Sequence, residues 1–236
     1  MFRPGIRLAS VLSALAFATA CGSGMLDASR PPVVTPSGGG GSGTAAAYSG
    51  AIADSLHRGA VAITVTGTSL TGLLTFVGGQ TISVTGTTDS AAASMTASGS
   101  GYTLTGTTNN GTVQGTYTGP GGNGYFAAAS DTLTHMTHTT YCGLYTSTNG
   151  NGWFSVVALS DGESSGFAVQ TSGSASSASF VGNVNFTVLS FAATTTQAVA
   201  ISGTLSADLQ TITGSYAPNI GSTTGTGTFS ATTGGC

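Results

Sequence analysis

Lysine is absent from this chain of 236 residues, and only four arginines occur, Arg3, Arg7, Arg30 and Arg58. Without lysine there is no Schiff-base amine and no phosphate-loop lysine. From Tyr48 onward Arg58 alone stands against Asp54, Asp89, Asp131, Asp161, Glu163 and Asp208, so a basic face for nucleic acid or anionic headgroups is excluded. Charged residues make up 5% of the chain, and solubility has to come from hydroxyls and backbone. Long apolar runs are equally scarce. The longest, Leu8–Phe17, has about ten residues, half of what a membrane-spanning helix needs. Histidine occurs three times, cysteine three times and tryptophan once. No cofactor motif is evident, and no convincing helix follows residue 20.

What is present sorts into four segments: 1–20, 21–46, 47–134 and 135–236. Residues 1–20 have the form of an export signal, with Arg3 and Arg7, the apolar run, and the small residues Ala18-Thr19-Ala20 before Cys21. The motif resembles the lipobox of bacterial lipoproteins, with Ala18 where leucine is usual. The resemblance covers residues 1–21 and implies that Cys21 is acylated, as with palmitate, and becomes the new N-terminus. It also implies outer-membrane sorting, because Gly22 rather than aspartate follows the cysteine. Lipid on Cys21 leaves Cys142 and Cys236 as a pair suited to one disulfide in an oxidising compartment. The segment 21–46 holds Pro31-Pro32, Pro36 and Gly38–Gly41 with few large apolar side chains, the composition of a flexible tether. Gly38, Gly40 and Gly43 have dinucleotide-fingerprint spacing but lack the flanking strand and helix.

The remainder has period two. Val61, Ile63 and Val65 alternate with Ala62, Thr64 and Thr66, and similar pairs follow at Ile82/Val84, Tyr102/Leu104 and Val113/Tyr117. Such alternation, rich in β-branched residues and punctuated by glycine, predicts half-buried strands. Asn110-Gly111, Asn151-Gly152 and Asp161-Gly162 are expected hairpin turns. Three features recur in the same order: Tyr48-Ser49-Gly50 with Tyr141-Cys142-Gly143, Leu104–Thr107 with Ile201–Thr204, and Val113–Tyr117 with Ile212–Tyr216. They indicate an internal duplication with an offset of 93 residues between the opening tyrosines. Glycine and tyrosine two apart on one strand suggest a ring covering its own strand's glycine. The expected fold is all-β: an antiparallel up-and-down meander in two duplicated halves, each a small barrel-like sheet of roughly seven or eight strands. A Cys142–Cys236 bond ties the first and last strands of the second half, which meet only if that sheet closes. One two-sheet sandwich or one larger barrel made from both halves is the alternative.

Candidate chemistry is sparse. Asp131, His135 and His138 have the residue types of a metal site. An extended connector, however, turns His138 away from the other two. Gly162-Glu163-Ser164-Ser165-Gly166 has nucleophile-elbow spacing, but a strand rather than a helix is expected after it. Asp161 and Glu163 are a possible carboxylate pair, more simply solvated turn residues. Trp153 and Phe154 face opposite sides of a strand and are candidates for contact with a small apolar or carbohydrate ligand. The function expected is a non-enzymatic, lipid-anchored cell-envelope protein, attached to the membrane through its N-terminal lipid, whose body binds a ligand or partner or serves structurally. An anchored hydrolase and a β-solenoid adhesin are the alternatives.

Overall fold

The computed structural model describes residues 45–236, except 90–92, 110, 134, 175 and 219–225. The signal, Cys21 and nearly all of the tether lie outside these residues, as does Asn110. The described chain forms two closed antiparallel barrels of eight strands each. The first comprises β1 (Ala46–Asp54), β2 (Arg58–Thr66), β3 (Ser69–Phe76), β4 (Thr81–Asp89), β5 (Ser94–Gly99), β6 (Tyr102–Asn109), β7 (Thr112–Gly119) and β8 (Gly122–Ser130). The second comprises β9 (His138–Ser147), β10 (Gly150–Leu159), β11 (Glu163–Gly173), β12 (Ala178–Asn185), β13 (Ser190–Thr195), β14 (Ala200–Leu205), β15 (Thr211–Ala217) and β16 (Gly227–Thr233). Each strand pairs with the next, and β1 with β8 and β9 with β16 close the rings. The duplicated meander is therefore two barrels rather than one sandwich or one large ring.

Alternation sets which side chains go inside. In β4, Ile82 and Val84 are buried while Thr81, Ser83 and Thr85 are exposed; in β6, Tyr102 and Leu104 alternate with Thr103 and Thr105. The first core gathers Ile52, Val61, Ile63, Leu74, Leu104, Tyr117 and Phe126. The second is more aromatic, with Tyr141, Tyr145, Phe154, Phe180, Phe191 and Phe229. Phe154 stacks on Phe229 at 4.1 Å and on Phe180 at 5.3 Å between ring centroids. The interiors are thus occupied by side chains, as expected where eight strands close.

The repeat extends to the closing seams. Gly50 pairs with Ala128, and Gly143 with Ala231. A Cβ on Gly50 would strike the Ala127 carbonyl and Ala128 Cα, and one on Gly143 the Ser230 carbonyl and Ala231 Cα. Rings do cover glycines, but across a hairpin rather than along one strand. Tyr117 lies over its partner Gly124, and Tyr216 over Gly227. Pairing puts these residues directly opposite each other on one face, closer than residues two apart on a strand.

Two local expectations need correction. Asn151-Gly152 is no turn but lies within β10, at a register shift. The chain turns at Thr148-Asn149, where Ser147 Oγ donates to the Gly150 carbonyl at 2.8 Å and accepts from the Asn149 amide at 3.1 Å. The connector is not extended either. His135 has φ 67°, and the Met136 amide bonds the Leu133 carbonyl at 3.2 Å. That bend brings His138 back to Asp131.

The barrels pack side by side through small and apolar outer residues. Ala51 and Ala53 of β1 and Ala127 and Ala129 of β8 meet Cys142, Val157, Leu159, Phe167 and Val169 of the second barrel. Alanines on the outer faces let the two walls approach closely. The Tyr125 hydroxyl donates to the Ser177 carbonyl at 3.3 Å, and the Arg58 guanidinium lies 4.6 Å from the centre of the Trp153 ring.

Candidate functional site

The body offers three clusters that bear chemistry, of which the sequence anticipated the Cys142–Cys236 disulfide of the third. The first closes the hairpin end of the first barrel. β1 runs apolar through Ala51-Ile52-Ala53 and ends in Asp54, a residue only 1% exposed. Its Oδ1 accepts the amides of Leu56 and His57, each at 2.7 Å, so the carboxylate folds the β1–β2 turn around itself. Its Oδ2 accepts the Tyr117 hydroxyl at 3.0 Å, and His57 Nδ1 lies 3.3 Å from Oδ1. Burial, then the charge and hydrogen bond of Asp54, hold the Tyr117 phenol far above its ordinary range. Above this network Leu56 is 69% and Val77 61% exposed, on adjacent hairpin tips.

The second barrel lacks this carboxylate. Ser147 occupies the place of Asp54, since Asp54 pairs with Gly124 and Ser147 with Gly227. Burial pushes the Tyr216 phenol up to about 12, with a small lowering from Ser147, and burial also raises Tyr145.

The second cluster sits at the opposite end, where the connector leaves β8. Ser49 Oγ donates to Asp131 Oδ1 at 3.1 Å and lies 3.2 Å from His138 Nε2. His138 Nδ1 is 3.6 Å from Asp131 Oδ1. The imidazole therefore faces both other side chains, Ser49 through Nε2 and Asp131 through Nδ1, while Ser49 Oγ also donates directly to Asp131. The group joins β1, the end of β8 and the start of β9. His135 is exposed in the bend. Among the described residues no three His, Cys, Asp or Glu side chains converge as metal ligands. Asp131 and His138 therefore meet, while His135 stays apart from them in the exposed bend.

The third cluster lies between the barrels. Cys142 and Cys236 form a disulfide with Cα atoms 5.1 Å apart, tying β9 to the segment beyond β16. Around it is a shallow cleft lined by Ala51, Arg58, Trp153 and Phe167 among others, with room for no more than about one water molecule. Trp153 faces this joint, whereas Phe154 points into the second core and is 1% exposed. Ser164 is buried beside the β10–β11 turn, in the last pair of that hairpin, opposite Ala158 and Gly182. Its hydroxyl has no hydrogen-bond partner among the described residues. Asp161 accepts the Glu163 amide at 3.1 Å in the β10–β11 turn, the geometry of a turn-forming aspartate.

No protein-family model and no curated protein matches the chain. One solved structure, "The Structure of Intact Ap-TbpB (N and C lobes)", aligns over 81% of this chain and 77% of its own, with 9% identity and a TM-score of 0.30. No helix among the described residues is long and apolar enough to cross a membrane.

Proposed function

We propose that this chain is a lipid-anchored cell-envelope protein, held by an acylated Cys21 in the outer membrane, with a non-enzymatic body that binds a ligand or partner. The observation that supports binding by the surface is the hairpin end of the first barrel. There a buried carboxylate network holds rigid a turn that displays Leu56. Exposed aliphatics on a preorganised tip suit recognition, because little ordering remains to be done on contact. That end lies opposite Ala46, where the tether enters, so the tip faces away from the attachment point. Both interiors, by contrast, are occupied by packed side chains. The partner expected is uncharged or apolar, carbohydrate included, because the tip carries little charge.

Two measurements test this reading. Detergent phase partition of the full-length protein, compared with Cys21→Ser, reads the anchor: wild type enters the detergent phase and the variant stays aqueous. Crosslinking in intact envelopes then compares wild type with a Leu56→Asp/Val77→Asp variant. A crosslinked species lost in the variant supports the tip. Identical crosslinks in both place binding elsewhere.

A further inference from the structure

Ser49 and Cys142 occupy the same place in the two repeats. Each follows the tyrosine and precedes the glycine of the opening strand, and the glycines pair with Ala128 and Ala231 at equivalent seams. Both side chains point outward, both are buried at the joint, and each bonds to the segment that follows its own barrel's closing strand. Ser49 pairs across the seam with Ala129 and reaches Asp131; Cys142 pairs with Thr232 and reaches Cys236. One fastening is a hydrogen bond and the other a covalent bond.

The two differ in one further respect. The Ser49 cluster contains His138, the first residue of β9, which pairs with Leu159 in the second barrel's sheet. The connector is fixed to that barrel as well: the Ser160 amide bonds the Thr137 carbonyl at 2.8 Å. The first barrel's fastening thus borrows a side chain from a strand whose other edge is held by the disulfide-tied β16.

We propose that Ser49, Asp131 and His138 form the closing latch of the first barrel, the hydrogen-bonded counterpart of the Cys142–Cys236 disulfide, and that the disulfide controls it through β9. Reduction by a dithiol converts the disulfide to two thiols, the dithiol taking up the bond as its own disulfide. The segment after β16 is then released from β9 at Cys142, four residues along the strand from His138, and the end of β9 that places His138 beside Ser49 loosens with it. The result is a redox-sensitive device in which opening one seam loosens the other.

Native-state amide exchange on the full-length protein tests it, read separately at the β1–β8 and β9–β16 seams. Ser49→Ala is expected to speed exchange in β1–β8 about ten-fold while leaving β9–β16 unchanged. Dithiothreitol, or Cys142→Ser/Cys236→Ser, is expected to speed both seams. In a Ser49→Ala background reduction adds nothing further at β1–β8, because the latch is already open. His138→Ala repeats the Ser49→Ala pattern at β1–β8. If Ser49→Ala leaves β1–β8 protection intact, the latch is refuted. If reduction loosens β9–β16 alone, or adds in full to Ser49→Ala, control by the disulfide is refuted.

Discussion

Replacing Asp54 with alanine removes the acceptor for the Leu56 and His57 amides and the Tyr117 hydroxyl, and the partner of the His57 ring. The Leu56 and His57 amides lie at an exposed turn and regain water, but the Tyr117 hydroxyl is left in a buried site without a partner. A buried unpaired hydroxyl costs about 1–3 kcal/mol, and hydrogen bonds to a charged acceptor about 1.5–3 kcal/mol each. Removing the carboxylate of a residue only 1% exposed offsets part of this, because its desolvation penalty disappears too. The net expected loss for Asp54→Ala is about 2–4 kcal/mol. The second barrel supplies an internal control. Ser147→Ala removes the bonds to the Asn149 amide and Gly150 carbonyl in a turn, and should cost about 1 kcal/mol or less. Urea unfolding alone is ambiguous, since two barrels need not unfold together. Amide exchange resolved to β1, β2 and β7 gives the local value. Loss of protection there, with β14–β16 unchanged, is the expected outcome. An Asp54→Ala protein within about 0.5 kcal/mol of wild type would show that the network organises nothing.

Other predictions are independent of that one. Loss of the disulfide in Cys142→Ser/Cys236→Ser, which spans a sequence separation of 94, should lower the second barrel's stability by about 2–5 kcal/mol, measured by amide exchange in β9–β16 against the wild type. Gly50→Ala and Gly143→Ala should each prevent closure of one barrel, since the added methyl meets backbone atoms that cannot move aside; loss of that barrel's exchange protection checks it. Arg58→Ala should weaken the contact between barrels by about 0.5–2 kcal/mol and shift Trp153 emission. Stability should also fall at high pH. The folded-state Tyr216 phenol sits at about 12 against an ordinary 10.0, so the folded chain keeps a proton that the unfolded chain releases. Its contribution is complete below pH 10 and is lost as pH rises toward 12, with Tyr117 and Tyr145 acting in the same direction. A flat midpoint from pH 9 to 12 contradicts this.

The barrels were legible because period-two alternation and the Gly/Tyr repeat report directly on which face of each strand is covered. The joint between them was not, although a signal existed. Phe126-Ala127-Ala128-Ala129 and Val156-Val157-Ala158-Leu159 do not alternate, and a strand buried on both faces loses its alternation. The outer alanines there look neutral until a second wall is placed against them. Asp54 was likewise visible as the acid that ends an apolar strand two residues before Leu56. Its role, however, depends on Tyr117, which is 63 residues away in sequence and adjacent only once the barrel closes. Ser49, Asp131 and His138 were separated for the same reason. Their meeting depends on a bend at His135, a positive φ that a non-glycine residue adopts seldom and that nothing local specifies.

The anchored, two-barrel account is tested most directly by non-reducing peptide mass mapping of the mature protein, expressed in a bacterial host with its own signal. The account predicts a lipid-bearing peptide that begins at Cys21, together with a Cys142–Cys236 crosslink. An unmodified Cys21, or one crosslinked to either of the others, would contradict it.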